Sequence, residues 1–434
     1  MDNYESILDS VISLTKRRGF IFQGSELYGG INGFWDYGPL GSLLKERIKR
    51  FWYRKVVMER EDVVLLDSSL VMHPDVWKAS GHTDNFYDIM VECKNCKKRF
   101  KSDTLEGDRC PECQGELSAG RQFDLMFKTH VGALEEGNNI AYLRPETAQA
   151  IFIHFKNVLN SSRQKIPFGI AQMGKSFRNE ITPRNFIFRS REFEQIELEF
   201  FVEPGADEEW YNFWIQQRYD WYREIGIKEE YLRLREHRKD ELAHYATGCT
   251  DIEYYFPFGW KELEGIAKRT DFDLKKHSEF SGKDQSYFDE AKREKYIPYV
   301  VETSAGVERT LLTVLTSAYR EETVKDEKRV ILGLSPNIAP IQTAFLPLSK
   351  QLNENTYKIY ADIRNIFESQ FDDKGSIGRR YRRQDEIGTP LCITYDFDSL
   401  NDHSVTIRHR DTMEQKRVSV SSLKEYIEKE LKSF

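Results

Sequence analysis

The chain has few cysteines and no long apolar run. Only six of its 434 residues are cysteine, and no apolar stretch reaches the roughly 20 residues that a membrane-crossing helix needs. Residues 1–10 (MDNYESILDS) are acidic, whereas a signal or transit peptide would be basic. These features argue against a secreted or membrane protein, and we expect a cytoplasmic location.

The chain also has no large excess of either charge. Its 64 Lys and Arg against 71 Asp and Glu give a net charge of −7, which argues against indiscriminate nucleic-acid binding but leaves a local basic patch open. A length of 434 residues exceeds what one hydrophobic core normally serves, so we expect two or three domains. The 28 Phe, 22 Tyr and 7 Trp can fill their cores.

Residues 177–201 (FRNEITPRNFIFRSREFEQIELEFF) are the most informative segment. Two antiparallel strands over 169–177 and 191–201 are predicted, because the second run alternates apolar and polar residues and Thr182-Pro183-Arg184-Asn185 has turn chemistry. The return strand carries several carboxylates. A solvated surface hairpin would explain this charge but not its arginine bias. Since the planar guanidinium binds phosphate oxygens in pairs, the segment indicates a nucleotide pocket.

Four of the cysteines form two CxxC pairs, separated by thirteen residues. They are Cys93, Cys96, Cys110 and Cys113. Four thiolates at this spacing indicate a structural zinc site of the ribbon type over about 91–120, although the separation is slightly short. Four reduced thiols left from a lost site, or an iron–sulfur cluster, are the alternatives. A catalytic metal is disfavoured because four thiolates leave no open position.

Longer motifs carry a family resemblance. The second motif of class II aminoacyl-tRNA synthetases is resembled by the stretch FRNE, a loop, Arg189 and REFEQIELEFF. The third motif is resembled by Ser304 to Leu312 (SAGVERTLL). FWDYGPLG (34–41) and LRPETAQ (143–149) narrow the resemblance to glycyl enzymes of the dimeric type, over nearly the whole chain. The resemblance implies ATP-dependent activation of glycine, with magnesium, and its transfer to tRNA(Gly).

The resemblance also implies roles for individual residues. Arg178 and Arg309 would be catalytic, the first holding the α-phosphate and the glycine carboxylate and the second reaching the terminal phosphate. Phe193 would stack on adenine, and Glu262 would act through magnesium. The full ATP-binding set would be Arg178, Asn179, Glu180, Phe188, Arg189, Phe193, Glu262, Leu263, Gly306 and Arg309. For Arg309 alone, a helix-terminal arginine paired with an acid is the alternative.

Glycine offers no side chain to a pocket, so carboxylates that hold its ammonium and crowd its Cα are the expected means of selection. By resemblance the glycine-binding residues would be Glu146, Arg178, Glu197, Glu302 and Ser304. For any single glutamate, a surface salt bridge is the alternative. Clustered carboxylates repel one another when the site is empty, which suggests a bound cation.

The predicted fold class is α+β. A class II catalytic domain built on an antiparallel sheet would span 1–330, with the zinc ribbon at about 91–120 and a second insertion at about 225–299. Alternating strands and helices over 335–434 indicate an α/β unit that resembles an anticodon-binding domain. Its basic segment 374–383 (KGSIGRRYRR) could contact tRNA or be a solvated helix face; the tRNA-binding candidates are Arg379, Arg380, Arg382 and Arg383.

The helix after Pro39, the strand 63–66 and the Met72-His73-Pro74 turn resemble the first class II motif, which in that family builds the interface of a homodimer. An ordinary core helix is the alternative. Two other functions stay open. A non-catalytic nucleic-acid-binding paralogue has no reason to retain Arg178, Glu197 and Arg309 together, and a ligase acting on another acceptor has no need for an anticodon-type domain.

Overall fold

A computed structural model describes residues 7–105, 107–132 and 139–433. The helices are α1 (Ile7–Arg18), α2 (Pro39–Tyr53), α3 (Pro74–Ala79), α4 (His82–Asn85), α5 (Ala148–Ser162), α6 (Asp207–Glu224), α7 (Phe272–Ser281), α8 (Val307–Ala318), α9 (Asn353–Ile363), α10 (Ile377–Ile387), α11 (Ser399–Asp402) and α12 (Leu423–Ser433). None of the helices in these ranges is long and apolar enough to cross a membrane.

The strands are β1 (Ile21–Gln23), β2 (Trp35–Tyr37), β3 (Val63–Leu66), β4 (Val71–Met72), β5 (Tyr87–Glu92), β6 (Arg99–Lys101), β7 (Arg121–Asp124), β8 (Lys128–His130), β9 (Ile140–Leu143), β10 (Phe168–Phe177), β11 (Glu192–Val202), β12 (Leu232–Glu236), β13 (Gly248–Phe256), β14 (Gly259–Thr270), β15 (Tyr287–Asp289), β16 (Glu294–Tyr296), β17 (Tyr299–Gly306), β18 (Tyr319–Val324), β19 (Glu327–Leu332), β20 (Thr343–Pro347), β21 (Ser369–Phe371), β22 (Leu391–Tyr395), β23 (Ser404–His409) and β24 (Gln415–Ser419).

Seven strands form the central sheet, in the order β12-β13-β14-β17-β11-β10-β3. All pairs are antiparallel except β10 with β3. The predicted antiparallel hairpin is present as β10 and β11. Segment 225–299, predicted as an insertion, contributes three of these strands, so that a large part of it lies within the sheet.

The two faces of the sheet have different coverings. Helices α6 and α8 pack on one face, where Ile196, Leu198 and Phe200 of β11 enter the main core. Helix α5 packs on the other face, with Phe201. Successive strand residues point to opposite faces, so Glu197 and Glu199 share the α5 face, whereas Glu192 and Glu194 point to the face of α2 and α8. There Lys45 of α2 binds Glu194, with Nζ 3.1 Å from Oε1.

The C-terminal unit contains a mixed sheet of five strands, ordered β21-β20-β22-β23-β24. Its strands pack in a separate core with α9 and α12. The stretch 330–340, whose Gly and Pro residues are typical of a linker, begins inside β19 and buries Leu334 and Ile338. Arg329 of β19, fully buried, donates to Asp385 of α10 at 2.8 Å. The connection between the two units is therefore packed and ion-paired.

Candidate active site

An open cleft lies where β10 and β17 end and β11 and α8 begin. Its lining is predominantly polar. The lining residues are Arg178, Glu180, Ile187, Phe188, Arg189, Ser190, Phe193, Gln195, Glu262, Ser304, Gly306, Glu308 and Arg309. The structure thus brings together residues from the two predicted motifs that are more than 100 positions apart in sequence.

Arg178 follows the last residue of β10 and extends into this cleft. Its Nε donates to the carbonyl oxygen of Pro145 at 3.0 Å. Its Cζ lies 5.4 Å from the centre of the Phe193 ring and 5.5 Å from that of Phe86. The backbone bond and the two rings orient the guanidinium toward the cleft, where it can bind an anion.

Arg309 lies in the first turn of α8, just after Gly306. Its Nη1 is 3.2 Å from Oε1 of Glu262 and donates to the Glu262 carbonyl at 3.3 Å. Its Cζ lies 4.6 Å from the Phe188 ring. Arg309 also leads the groups that hold the pKa of Glu262 below its ordinary value. The pair sets a cation and a carboxylate side by side, as a metal-bound polyphosphate requires.

Other residues of the predicted nucleotide set take different positions. Glu180 and Arg189 both line the cleft, with Nη1 of Arg189 3.9 Å from Oε2 of Glu180. The Leu263 side chain is buried in the main core, so only its backbone can reach a nucleotide. The backbone N–H of Asn179 donates to the Leu125 carbonyl at 2.7 Å.

The candidate glycine residues meet on the α5 face of the sheet. Glu197 is opposite Ser304 in the register of β11 and β17, and Ser304 Oγ donates to Glu197 Oε1 at 2.6 Å. The amide of Thr147 donates to Oε2 of Glu197 at 2.8 Å. Burial raises the pKa of Glu197, with the Glu146 charge adding to it, whereas these hydrogen bonds oppose the rise. A carboxylate held on both oxygens has a fixed orientation.

Glu146 lies at the N-terminal side of α5 and contacts His82. Nε2 of His82 is 3.3 Å from Oε2 of Glu146, and Gln149 Nε2 donates to Oε1 at 3.1 Å. Burial alone would raise the pKa of Glu146, but the charges of His82, Arg269 and Arg178 hold it well below its ordinary value. Glu146 is therefore ionised at neutral pH.

Glu302 is bound by a buried arginine. Nη1 of Arg269 is 3.0 Å from Oε2 of Glu302. Burial raises the pKa of Glu302 to about 7; Arg269 opposes the rise, and Glu197 and Glu146 add to it. Glu199, opposite Glu302 in the sheet, is fully buried, and neither of its oxygens has a hydrogen-bond partner in the described ranges. Burial raises its pKa well above the ordinary value.

Several residues at this site were not predicted from the sequence. They are His82, Phe86, Thr147, Gln149, Gln195, Glu199, Arg269 and Asp273. Thr147 and Gln149 stand within the LRPETAQ motif, which was a usable signal. His82 and Arg269 are single residues in unremarkable stretches, and only the folded chain brings them to the carboxylates.

The four paired cysteines converge at one end of a small three-stranded sheet, β6-β5-β7. Their sulfur atoms all lie within 4.8 Å of one another. Sγ of Cys93 is 3.5 Å from that of Cys113, and Sγ of Cys96 is 3.6 Å from that of Cys110. We call residues 87–124 the cysteine module. A tetrahedral zinc site with bonds of about 2.3 Å has sulfur separations of about 3.8 Å, so the donor set fits this metal.

The four arginines of α10 have unequal surroundings. Arg380 is buried and donates to the Pro347 carbonyl at 2.6 Å. Arg383 holds Asp372 through both carboxylate oxygens, at 2.8 and 2.7 Å. Arg379 is exposed and Arg382 is half-buried. Arg380 and Arg383 are engaged within the domain. A nucleic-acid contact from this helix would therefore depend mainly on Arg379 and Arg382.

Two family models match the chain in the same order as its two units. Residues 127–318 match the tRNA synthetase class II core domain (G, H, P, S and T), and residues 342–430 match the anticodon binding domain. The sheet, the cleft and these matches define a class II aminoacyl-tRNA synthetase core joined to an anticodon-binding domain.

Full-length relatives narrow this class. The chain is 53% identical to a glycine–tRNA ligase of Caldanaerobacter subterraneus subsp. tengcongensis, with 98% of both chains covered. It is 49% identical to the glycine–tRNA ligase of Treponema denticola, covering 100% of this chain and 99% of the relative. That of Thermobifida fusca is 51% identical, with 98% of both chains covered. The chain belongs to the glycine–tRNA ligase family.

Proposed function

We propose that this protein activates glycine with ATP to give glycyl-adenylate and transfers the glycyl group to tRNA(Gly). In the first step a glycine carboxylate oxygen attacks the α-phosphorus of ATP, and the bond to the β-phosphate oxygen breaks to release pyrophosphate. In the second step a terminal ribose hydroxyl of the tRNA attacks the glycyl carbonyl, and AMP leaves. The observation that carries the proposal is the convergence of Arg178 and Arg309 at one cleft, whose lining residue Ser304 is hydrogen-bonded to Glu197.

The first step needs neutralisation of phosphate charge more than a protein nucleophile. We assign that work to Arg178 at the α-phosphate and to Arg309 at the terminal phosphate, with Glu262 binding the nucleotide's magnesium. Phe193 lies beside Arg178 and offers a ring for the adenine. Glu180, Phe188, Arg189 and Gly306 also line the cleft, and Asn179 and Leu263 would contribute backbone.

Selection of glycine is assigned to Glu146, Glu197, Glu302 and Ser304. Ser304 lines the same cleft as Arg178 and donates to Glu197, which supports the assignment of this group to the ammonium of a glycine whose carboxylate Arg178 would hold. Glu197 has both oxygens engaged, so it cannot move aside for a larger amino acid. A methyl group at Cα would therefore meet fixed carboxylates.

The same proposal includes a homodimer, structural zinc and a cytoplasmic location. Strand β3 is an edge of the central sheet. Leu65 within it exposes 47% of its surface, and Leu70 and Val71, which follow it in the chain, expose 38% and 40%. An apolar sheet edge of this kind is a natural site for a second copy. Sedimentation of the purified protein would test this, and a concentration-independent monomer would count against it.

The rival function is nucleic-acid binding without catalysis. Such a protein would have no use for an ion-paired Arg309 and Glu262 or for buried carboxylates that lower stability when empty. The basic helix α10 fits either function. The intact cleft is the observation that favours the enzyme.

The test is amino-acid-dependent exchange of pyrophosphate into ATP, with glycine, alanine and serine compared. We expect exchange with glycine alone. Arg309→Ala should lower the rate by about 10²- to 10³-fold, as loss of a charge-stabilising donor does. Folded protein that binds tRNA but exchanges with none of the three would overturn the proposal in favour of the binding function.

A further inference from the structure

The cysteine module joins the rest of the chain beside Arg178. Strand β5 of the module begins directly after Phe86, whose ring lies 5.5 Å from Cζ of Arg178. Strand β7 of the module ends directly before Leu125, whose carbonyl accepts a hydrogen bond from the backbone N–H of Asn179 at 2.7 Å. The two residues that flank the module, Phe86 and Leu125, therefore contact two consecutive residues of the candidate active site, Arg178 and Asn179.

The two ends are also bonded to each other. The Leu125 amide donates to the Phe86 carbonyl at 3.3 Å. The next pair, Tyr87 and Asp124, opens the register of β5 with β7. The pairing of the module's own strands is thus one support of Phe86, beside the bond from its backbone amide to the His82 carbonyl at 2.9 Å and its packing against the cluster of Met72 and Trp77.

The cysteines lie at the opposite end of the same strand. Cys93 follows the last residue of β5, and Lys98 and Ser118 provide backbone contacts across this end. Six residues of extended strand span about 20 Å. At that distance the cysteines cannot touch a ligand held by Arg178, so any effect they have on it is indirect, and the strand is one route for it.

We infer that Phe86 is a positioning residue for Arg178, and that through Phe86 the folding of the cysteine module sets how well the cleft holds ATP. The inference rests on the proposed function for its meaning in catalysis. When the module is intact, the base of β5 and β7 places the Phe86 ring against the guanidinium. When the module unravels, the ring keeps its contacts with His82 and Trp77 but loses the support of the paired strands, so its hold on the Arg178 guanidinium weakens.

A second route from the module to the cleft exists and has to be distinguished. Pro111, which stands between Cys110 and Cys113, lines a small cavity together with Ile181, Thr182 and Arg184 of the loop after β10. A module that acted through this loop would not need Phe86. The two routes give different results when substitutions are combined.

The test is a double-mutant cycle on the full chain, with its metal content determined. The single variants are Phe86→Leu and Cys110→Ser, and Phe86→Tyr keeps the ring as the conservative variant. ATP affinity is measured by calorimetry, because it does not require the reaction, and pyrophosphate exchange follows. We expect roughly ten-fold weaker ATP binding in Phe86→Leu, near-normal binding in Phe86→Tyr, and a similar loss in Cys110→Ser. Circular dichroism checks that the catalytic domain of each variant remains folded.

The combination decides the inference. If the module acts through Phe86, Cys110→Ser has little further effect in the Phe86→Leu background. If the losses of ATP affinity in the two single variants multiply in the double variant, the routes are independent and the inference is overturned. A Cys110→Ser variant that binds ATP normally and is impaired only in tRNA charging would also overturn it. Lys98→Ala, at an exposed ion pair with Glu112 on the module, serves as the matched control and should bind ATP normally. Glycine-dependent exchange by the unmodified protein separately tests the proposed function.

Discussion

Arg269 binds Glu302 and Asp273 at the same time, beneath the carboxylates assigned to glycine. Its Nη1 is 3.0 Å from Glu302 Oε2, and its Nε and Nη2 donate to Asp273 at 2.8 and 2.9 Å. The Arg269 side chain is 1% exposed. Gln149 extends this network, because its Nε2 donates to both Asp273 and Glu146. A fixed cation therefore offsets part of the repulsion within the empty site and links Glu302 to Glu146.

The first prediction concerns pH. The pKa of Glu302 is raised to about 7, primarily by burial, so below that pH the group is protonated and attracts an ammonium less. The KM for glycine should therefore fall by up to about tenfold as the pH rises from about 6 to 8, while the KM for ATP stays nearly constant. Exchange kinetics across this range measure both. Glu302→Gln should give a high glycine KM with no such pH dependence, and a flat profile in the unmodified protein would contradict the assignment.

The second prediction concerns Arg269. Arg269→Met leaves Asp273 and Glu302 buried without their cation, which costs about 3–5 kcal/mol of unfolding free energy. The glycine KM should rise as well. Arg329→Met is the matched control, since it breaks the buried pair with Asp385 at the domain junction. It should lower stability in denaturant titration, although by less because Asp385 keeps its pair with Arg408, while leaving the glycine KM unchanged. Equal changes of KM in both variants would mean that Arg269 acts through stability alone.

The third prediction concerns His82. Because His82 is foremost in lowering the pKa of Glu146, His82→Leu leaves only Arg269 and Arg178 to oppose burial, and the pKa rises. We expect a glycine KM about tenfold higher near neutral pH, recovering as the pH rises and Glu146 ionises again. Exchange assays at several pH values check this. His73→Leu, at an exposed histidine nearby, should behave like the unmodified protein. A His82→Leu defect that is the same at every pH would point to packing instead.

Local patterns explain why much of the fold could be predicted. Alternation and turn residues mark β10 and β11, and the apolar spacing after Pro39 marks α2. The arginines proposed to bind phosphate were identified from the same local motifs. The roles of His82 and Arg269 could not be predicted this way, because they depend on strand register and on the fold that brings His82 of α4 to Glu146, just before α5.

The pattern of charged residues in the sequence was a poorer guide to side-chain position than the pattern of apolar residues. Alternation along β11 puts Glu194 and Glu197 on opposite faces, so the carboxylates of this strand serve two separate clusters. On α10, consecutive arginines suggest a uniform basic surface. The helical period instead turns Arg380 inward with Gln384 and Ile387. A run of like charges is therefore a poor guide to which side chains are available.

The fourth prediction concerns metal content. The four sulfurs of the cysteine module fit one zinc ion per chain. His237, Cys249 and Asp251 also lie close together, but Nη1 of Arg235 is 3.7 Å from Asp251, so a second ion is disfavoured. Metal analysis should find about one zinc, lost in Cys93→Ser and retained in Cys249→Ala. Chelation should lower the melting temperature. Substoichiometric metal with unchanged folding would contradict the site.

The fifth prediction separates contact from packing on α10. Arg379 is exposed, so Arg379→Glu should weaken tRNA binding by adding repulsion with phosphates, while glycine-dependent exchange stays normal. Arg383→Ala should instead lower the stability of the C-terminal domain, because Asp372 loses a bidentate partner. The measurements are the KM for tRNA at two salt concentrations and the thermal unfolding of each variant. If α10 contacts tRNA, the Arg379→Glu defect should be larger at low salt, where phosphate charge is less screened. An unchanged tRNA KM in Arg379→Glu, with normal folding, would mean that this helix only packs and that tRNA is held elsewhere on the domain.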